Sequence, residues 1–217
     1  MVVVTESWLN ESYAYFCLSG YRVVARRDRS DGREGGGVIV FTLSDDVSVA
    51  HVHDSLELEL AWCLIHSNVG PILLGAWYRP PDLDASSVDV FEKEWQEFSA
   101  DVVGSILVGD FNVHNIRWLT FSSSNTAAGT RLWTFAVDHG FTQLVTEPTR
   151  NEYLLDLVLS DFASGVKTKV LPKVADHNAV LASVDISVEA PAPVLRHCWS
   201  FKSARWKALN SHFRLTD

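Results

Sequence analysis

The sequence predicts a mixed α/β (α+β) domain in which short strands outnumber helices. Many short segments are rich in β-branched and aromatic residues and are bounded by Gly, Pro, Asp or Ser, which is typical of strands. Two longer segments instead repeat apolar residues at helical spacing. With 217 residues, of which 47% are hydrophobic, the chain is long enough for one domain with a sizeable core.

The strands are predicted, in chain order, at residues 2–5, 21–25, 38–43, 47–52, 56–65, 72–78, 105–108, 155–159, 167–171 and 179–186. One helix is predicted at residues 86–100, where Phe91 and Trp95 belong to an apolar stripe. A second is predicted at residues 130–139, where Gly140 follows as the C-terminal cap. An Ala-Pro-Ala-Pro sequence at residues 190–193 interrupts the pattern. We therefore expect a domain over residues 1–189, and a linker with a short helical tail over residues 190–217.

The formal net charge of −9 disfavours one class of function, the generic nucleic-acid-binding module, because a polyanion prefers a basic surface. A site that gathers carboxylates around Mg²⁺ is acidic by design, and the metal reverses the local field. The charge therefore weighs less against a metal-dependent phosphodiesterase.

Cysteine usage and the amino terminus indicate the compartment. Cys17, Cys63 and Cys198 are odd in number and far apart, which fits neither a disulfide framework nor a zinc knuckle. The first residues lack the basic and apolar regions of a signal peptide, and no apolar run is long enough to span a bilayer. We expect an intracellular protein, nuclear or cytoplasmic and not secreted, with no membrane partner.

The segment Ile106-Leu-Val-Gly-Asp-Phe-Asn112 is the most informative motif. Side chains alternate along a strand, so Asp110 and Asn112 leave its end on one face while Phe111 points to the core. A carboxylate beside a carboxamide can hold a divalent cation, a water molecule and a phosphate oxygen. A plain strand that ends in an Asp/Asn turn explains the same residues.

Polar groups follow other apolar strands in the same way: Glu6, Tyr78 with Arg79, Asp156, and Asp176 with His177. Glu6 could instead cap a helical turn, Tyr78 and Arg79 could form a simple turn before two prolines, and the Asp-His pair could be a coincidence. Asp156 is harder to dismiss, because an acid inside a strand that reads as buried needs a partner. A histidine is the most economical one.

Taken in order, these motifs resemble the endonuclease/exonuclease/phosphatase family, the DNase I-like proteins, over roughly residues 1–187. Within that family the chain is most similar to the apurinic-type endonuclease domains of non-LTR retrotransposons. The residues that carry the second similarity are Thr5-Glu-Ser-Trp-Leu9, Arg27-Asp-Arg29, Gly35-Gly-Gly-Val38, Tyr78-Arg-Pro-Pro81, and Thr149-Arg150 ahead of Leu155-Asp-Leu-Val-Leu159. The tail around Trp199 and Trp206 resembles the segment that leads toward a reverse transcriptase, a possible partner domain in a longer parent polyprotein.

The resemblance implies a four-layer αββα sandwich of two packed, mostly antiparallel sheets. Members of the family open with a strand that bears an asparagine near the metal, and that strand has no counterpart here. We therefore expect an N-terminally truncated sandwich that lacks its first strand. Relatives also commonly place a serine where this chain has Ala175, a milder departure.

The resemblance also implies a mechanism and a role for each group. Glu6 would ligate Mg²⁺, or Mn²⁺ in its place, with Asp176 as an outer or second metal partner. Asp110 would activate the attacking water and Asn112 would hold the scissile phosphate. The remaining catalytic roles fall to His177, which would stabilise charge on a phosphoryl oxygen, to Asp156, which would orient that imidazole, and to Tyr78, which would hydrogen-bond the phosphate.

DNA is the substrate that the resemblance implies, with contacts at Arg79, Arg27, Arg29 and Asn115. The segment of residues 21–34 has five arginines against three acids, and it would flank the DNA groove. A solvated hairpin explains that segment equally well. The expected function is metal-dependent DNA nicking. The alternatives are a phosphatase or sphingomyelinase of the same superfamily, and an inactive truncated remnant that only binds nucleic acid.

Overall fold

The structure, a computed structural model, describes residues 1–13, 16–46, 48–162, 165–187 and 205–206. The predicted linker and helical tail over residues 190–217 lie outside the described residues, apart from Arg205 and Trp206. In the part that the structure describes, no helix is long and apolar enough to cross a membrane.

The strands in chain order are β1 (Val2–Thr5), β2 (Tyr21–Arg27), β3 (Val38–Leu43), β4 (Val49–Asp54), β5 (Glu59–Ser67), β6 (Gly70–Tyr78), β7 (Gly104–Asp110), β8 (Thr142–Gln143), β9 (Asp156–Ser160), β10 (Val166–Lys173) and β11 (Asn178–Val184). The helices are α1 (Ser87–Phe98) and α2 (Ala127–Asp138). Each predicted element is found within a few residues of its expected bounds. The short strand β8 was not predicted, because two residues carry too little pattern to be read.

The strands of the described residues form three sheets. The largest has six strands in the order β4-β5-β6-β7-β9-β8, and within it only β6 and β7 run parallel. A second sheet has the order β1-β3-β2, and β10 pairs with β11 in a third. Within the described residues, β1 and β11 each pair with a single neighbour.

Both helices cover one face of the six-stranded sheet. Trp62 of β5 and Trp77 of β6 lie on this face, and both stack against Phe91 of α1, with ring centroids 5.7 and 4.5 Å apart. Phe91 also contacts Phe135 of α2 at 5.4 Å. These rings are almost fully buried, so the apolar stripes of the two helices form core, and burying side chains of this size contributes strongly to stability.

The opposite face packs against the second sheet, where Val38 and Val40 of β3 are completely buried. The fold class expected from the sequence, an α/β sandwich of two packed sheets, is therefore confirmed. Because α2 ends at Asp138 and Gly140 adopts a φ of +72°, the predicted glycine cap is found as well.

Candidate active site at the ends of the central strands

A single row of side chains crosses the central strands on the face away from the helices. Glu59 of β5 is opposite Tyr78 of β6, Tyr78 is opposite Asp110 of β7, and Asp110 is opposite Asp156 of β9. Directly opposed residues share a face of a sheet. The strand register therefore brings together groups that are far apart in the sequence.

His177 joins this row from the loop before β11. Its Nδ1 lies 2.7 Å from Oδ2 of Asp156, so the structure supplies the partner expected for an acid inside a strand. Asp110, Asp156 and His177 each offer one ligand atom, and these atoms lie within 4.8 Å of one another. The result is a compact group of two carboxylates and one imidazole.

The environment of this group shifts its protonation. Burial, together with the nearby charge of Asp156, raises the pKa of Asp110 to about 7, against the opposing effects of His177 and of hydrogen bonds from Asn112. The hydrogen bond with Asp156 raises the pKa of His177, helped by the charges of Asp156 and Asp110. Asp110 can therefore exchange a proton near neutral pH, and the charged form of His177 is stabilised by its carboxylate neighbours.

Asn112 is fixed beside Asp110, as the alternation of the motif predicts. Its Nδ2 donates to Oδ2 of Asp110 at 2.8 Å and to the carbonyl of Arg79 at 3.1 Å, while Phe111 between them is fully buried. Asn112 has a φ of +46°. An unusual backbone conformation at a functional position is often retained because it aims a side chain.

Gly109 allows β7 to approach β6 at this point. Its φ is +140°, and a Cβ atom there would lie 1.9 Å from the carbonyl oxygen of Trp77. Only glycine fits such a position. The glycine of the motif therefore has a steric role: it lets the strand carry Asp110 next to Tyr78.

Glu6 reaches the row from the end of β1. Its Oε1 accepts a hydrogen bond from the Tyr78 hydroxyl at 2.7 Å, and its Oε2 accepts one from the Trp8 indole at 3.1 Å. Burial raises the pKa of Tyr78, and the hydrogen bond with Glu6 and the charges of Glu6 and Asp110 act in the same direction. Among the described residues between β1 and β2 there is no helix, so Glu6 does not cap one at Ser7-Trp8.

Sequence patterns did not predict the ion pair between Arg29 and Glu59 that lies beside Tyr78. Arg29 Nε donates to Glu59 Oε1 at 2.8 Å, and both side chains are only about one-tenth exposed. Glu59 also accepts from the backbone N–H of Gly37, and the Arg29 guanidinium lies 5.7 Å from the centre of the Tyr78 ring. The alternating strand pattern marks Glu59 as polar, but its partner lies 30 residues away.

Known proteins share this architecture. No protein-family model and no curated protein matches the sequence. Among solved structures, the endonuclease domain of TRAS1, a telomere-specific non-LTR retrotransposon, superposes with a TM-score of 0.59 at 18% identity, over 77% of this chain and 81% of that one. The 3′ phosphatase NExo from Neisseria, bound to a product DNA hairpin, gives 0.60 at 14% identity, over 84% and 88%.

A third match, the cytolethal distending toxin of Haemophilus ducreyi, gives a TM-score of 0.50 at 14% identity, over 84% of both chains. This chain has the endonuclease/exonuclease/phosphatase fold. The DNase I-like architecture expected from the ordered motifs is thereby confirmed. At these identities the likeness concerns the fold, and the site residues have to be judged from their own geometry.

Two predicted DNA contacts of this DNase I-like domain lie inside the protein. Arg79 is 3% exposed and donates to the carbonyls of Pro80 and Leu83 and to Ser87 Oγ. Asn115 is 2% exposed, and its Oδ1 accepts from the backbone N–H of Arg117 at 3.0 Å. Both were expected at the surface. They instead satisfy backbone groups of tight loops, a need that the sequence pattern does not reveal.

Arg27 and Asp176 lie at the periphery. Arg27 donates to the carbonyls of Leu56 and Leu58, and with Arg29 it lines a cleft of about 660 Å³. Asp176, expected as a second metal partner, is two-thirds exposed and pairs with Arg150 at 2.7 Å. Asp176 therefore lies outside the compact group, although it is next to His177 in the sequence.

The arrangement of carboxylates suits a divalent cation. Carboxylate oxygens are the ligands that Mg²⁺ prefers, and Glu6 brings one to the row from β1. Asp110 and Asp156 are opposed on adjacent strands, and their carboxylates and the His177 imidazole each offer a ligand atom within 4.8 Å of the others. Burial first and the charge of Asp156 second raise the pKa of Asp110, and a cation would offset the part that is due to charge.

Proposed function

We propose that this chain is a metal-dependent phosphodiesterase of retrotransposon origin that nicks DNA by attack of water on a backbone phosphate. One observation carries the proposal: five polar side chains, those of Glu6, Tyr78, Asp110, Asp156 and His177, are brought together at one face of the sheet. Tyr78 bonds Glu6 and is opposite Asp110 in register, and Asp110 lies in a compact group with Asp156 and His177. The similarity to the TRAS1 endonuclease domain, and to a phosphatase bound to DNA, supports the choice of substrate.

Each side chain has a chemical role in this proposal. Asp110 accepts the proton of the attacking water, for which a pKa of about 7 is well matched. Asn112 holds Asp110 in place, and on substrate binding one of its two amide N–H groups would turn from the Arg79 carbonyl to the phosphate. His177, oriented by Asp156, donates to a phosphoryl oxygen and stabilises the charge that develops there. The Tyr78 hydroxyl is kept protonated by its surroundings. Its single proton is donated to Glu6, and it would be donated to the phosphate instead once the Glu6 carboxylate holds the cation.

The cation is assigned to Glu6, with Mg²⁺ proposed and Mn²⁺ as a substitute. When bound, it supplies a Lewis acid and a positive charge beside the phosphate. Asp176 contributes only if its ion pair with Arg150 opens. Arg27, which is partly exposed at the rim of the cleft, is retained as a proposed phosphate contact, whereas Arg79 and Asn115 are not.

The test is nicking of a supercoiled plasmid in Mg²⁺, repeated with EDTA and with Asp110→Asn. We expect nicking by the native chain, and loss of nicking under both manipulations. Asp46→Asn is the matched control, because Asp46 lies at a turn and bonds Ser48 and Thr42. Nicking that survives both EDTA and Asp110→Asn would rule out the proposal.

A second candidate function is removal of a 3′ phosphate from DNA, which the NExo similarity favours. It uses the same site on a terminal phosphate. An oligonucleotide with a 3′ phosphate separates the two activities, because a phosphatase releases inorganic phosphate and leaves the strand intact. A folded chain that binds DNA without either reaction would instead be a binding remnant.

A further inference from the structure

An exposed aromatic side chain stands directly beside the proposed site. Trp8 is 61% exposed, which is unusual for the largest apolar side chain. Its indole N–H donates inward to Glu6, whose other oxygen accepts from Tyr78. The polar edge of the ring is therefore engaged, while much of its apolar surface remains open to solvent.

The backbone around Trp8 is held in a costly conformation. Glu6 and Trp8 have φ values of +51° and +56°, a region that residues with a side chain rarely adopt. The loop is anchored by hydrogen bonds from the backbone N–H of Trp8 to Gly36 and of Ser7 to Gly37, at 3.0 and 3.3 Å. Such conformations persist where the surrounding structure fixes them, often at binding sites.

The Trp8 indole packs against the glycine loop of residues 35–37. A Cβ atom on Gly35 would lie 3.2 Å from the Trp8 ring, so the absence of a side chain lets the ring pack closely there. Together with the bond to Glu6, this contact fixes the ring with respect to the catalytic row. An exposed aromatic ring in a fixed place offers a surface on which a planar group can stack.

We infer that Trp8 is a stacking platform for the nucleobase next to the scissile phosphate, an inference that rests on the proposed function. A phosphate held by Asn112, His177 and Tyr78 would bring its neighbouring nucleotide over the end of β1. A base can stack there only when it leaves its own stack, so this chain prefers DNA whose flanking base is unpaired. The site would then select substrates by base exposure as well as by backbone charge.

The test combines changes in the protein with changes in the DNA. Binding of a labelled single-stranded oligonucleotide is measured by fluorescence anisotropy in EDTA, with one base at a time removed from its sugar. Trp8→Ala should weaken binding of the intact strand by about 5- to 150-fold. Removal of the base that stacks should weaken native binding equally and abolish the effect of Trp8→Ala. Trp8→Phe should retain most of the affinity.

Val137→Ala is the control, since Val137 is equally exposed on α2, on the helical side of the sheet. Trp8→Phe removes the bond to Glu6 but keeps a ring, so it separates stacking from the positioning of Glu6. If Trp8→Phe binds DNA as weakly as Trp8→Ala does, Trp8 only positions Glu6 and the inference is wrong. The same holds if Trp8→Ala weakens binding equally with and without the base.

The outcomes also separate this inference from the proposed function. Mg²⁺-dependent nicking by the native chain, with unchanged affinity in Trp8→Ala, overturns the stacking role alone. If binding in EDTA is too weak to measure, the same comparison is made on kcat/KM in Mg²⁺. A folded native chain that neither binds nor cleaves DNA refutes both proposals.

Discussion

Replacing Asp110 with asparagine should make the folded protein more stable while it abolishes activity. The carboxylate is 2% exposed and faces Asp156, so the folded state resists its ionisation. Its pKa rises from an ordinary value of 3.8 to about 7. A carboxylate with a raised folded pKa binds its proton more tightly in the folded state, so stability falls as the pH rises from about 4 to about 7 and is then constant.

The difference between these two pKa values corresponds to about 4 kcal/mol at neutral pH. His177 and Asp110 influence each other, so this figure is an upper bound. Asparagine also loses one of the two hydrogen bonds from Asn112, at a cost of about 1 kcal/mol. The net gain in the free energy of unfolding should be about 1–3 kcal/mol at pH 8, on the order of 5 °C in Tm.

The assay is urea unfolding in EDTA at several pH values from 4 to 8, followed by circular dichroism. The difference in the free energy of unfolding between Asp110→Asn and the native chain should be near zero at pH 4 and should grow to its maximum above pH 7. Asp46→Asn should behave in the opposite way. Burial of Asp46 favours its neutral form, but hydrogen bonds from Ser48 and Thr42 outweigh burial and lower its pKa. Its carboxylate therefore stabilises the fold above about pH 4. If Asp110→Asn destabilises the protein at pH 8 as Asp46→Asn does, the argument from the buried carboxylate is wrong.

Three further predictions concern the acid–histidine pair, the ion pair behind Tyr78, and the glycine of the motif. Asp156→Asn and His177→Ala should each lower kcat for nicking by about 10²–10⁴-fold, and the double variant should be little worse than either; effects that multiply would show that the two residues act independently. Glu59→Gln should lower the free energy of unfolding by about 2–3 kcal/mol, because it leaves the buried Arg29 without its charge partner, whereas Asp31→Asn at the exposed Arg33 pair should change it little, because solvent screens that pair; equal costs in urea unfolding would contradict the role of burial. Gly109→Ala should lower the free energy of unfolding by at least about 3 kcal/mol, because of its φ and the contact with the Trp77 carbonyl; a chain that melts as the native one does would show that β7 can move away.

Local pattern was sufficient for the elements and for one side of the site. Alternation along β7 predicted that Asp110 and Asn112 share a face and that Phe111 is part of the core. The structure confirms this placement of all three residues. The reasoning about a buried acid predicted a histidine partner for Asp156, and His177 fills that place. These predictions succeeded because side-chain direction within a strand depends on the strand alone.

Predictions of surface contacts had no such basis. Arg79 and Asn115 are polar loop residues, a pattern that fits exposure and burial equally well, and the structure buries both. Whether such a residue is needed to bond a buried backbone group depends on the conformation of the loops before α1 and before α2. That closure is a property of the assembled core, and the sequence does not show it.

Local patterns in the chain were enough to predict the two helices, every strand except β8, and the polar groups at the strand ends. Which of these groups meet depends on the assembled fold: on the register that aligns Glu59, Tyr78, Asp110 and Asp156, and on the hydrogen bond from Tyr78 to Glu6 across 72 positions. Periodicity fixes the face of each side chain within its own strand. Contacts between strands depend instead on register and sheet packing, which arise from the burial of the whole core at once.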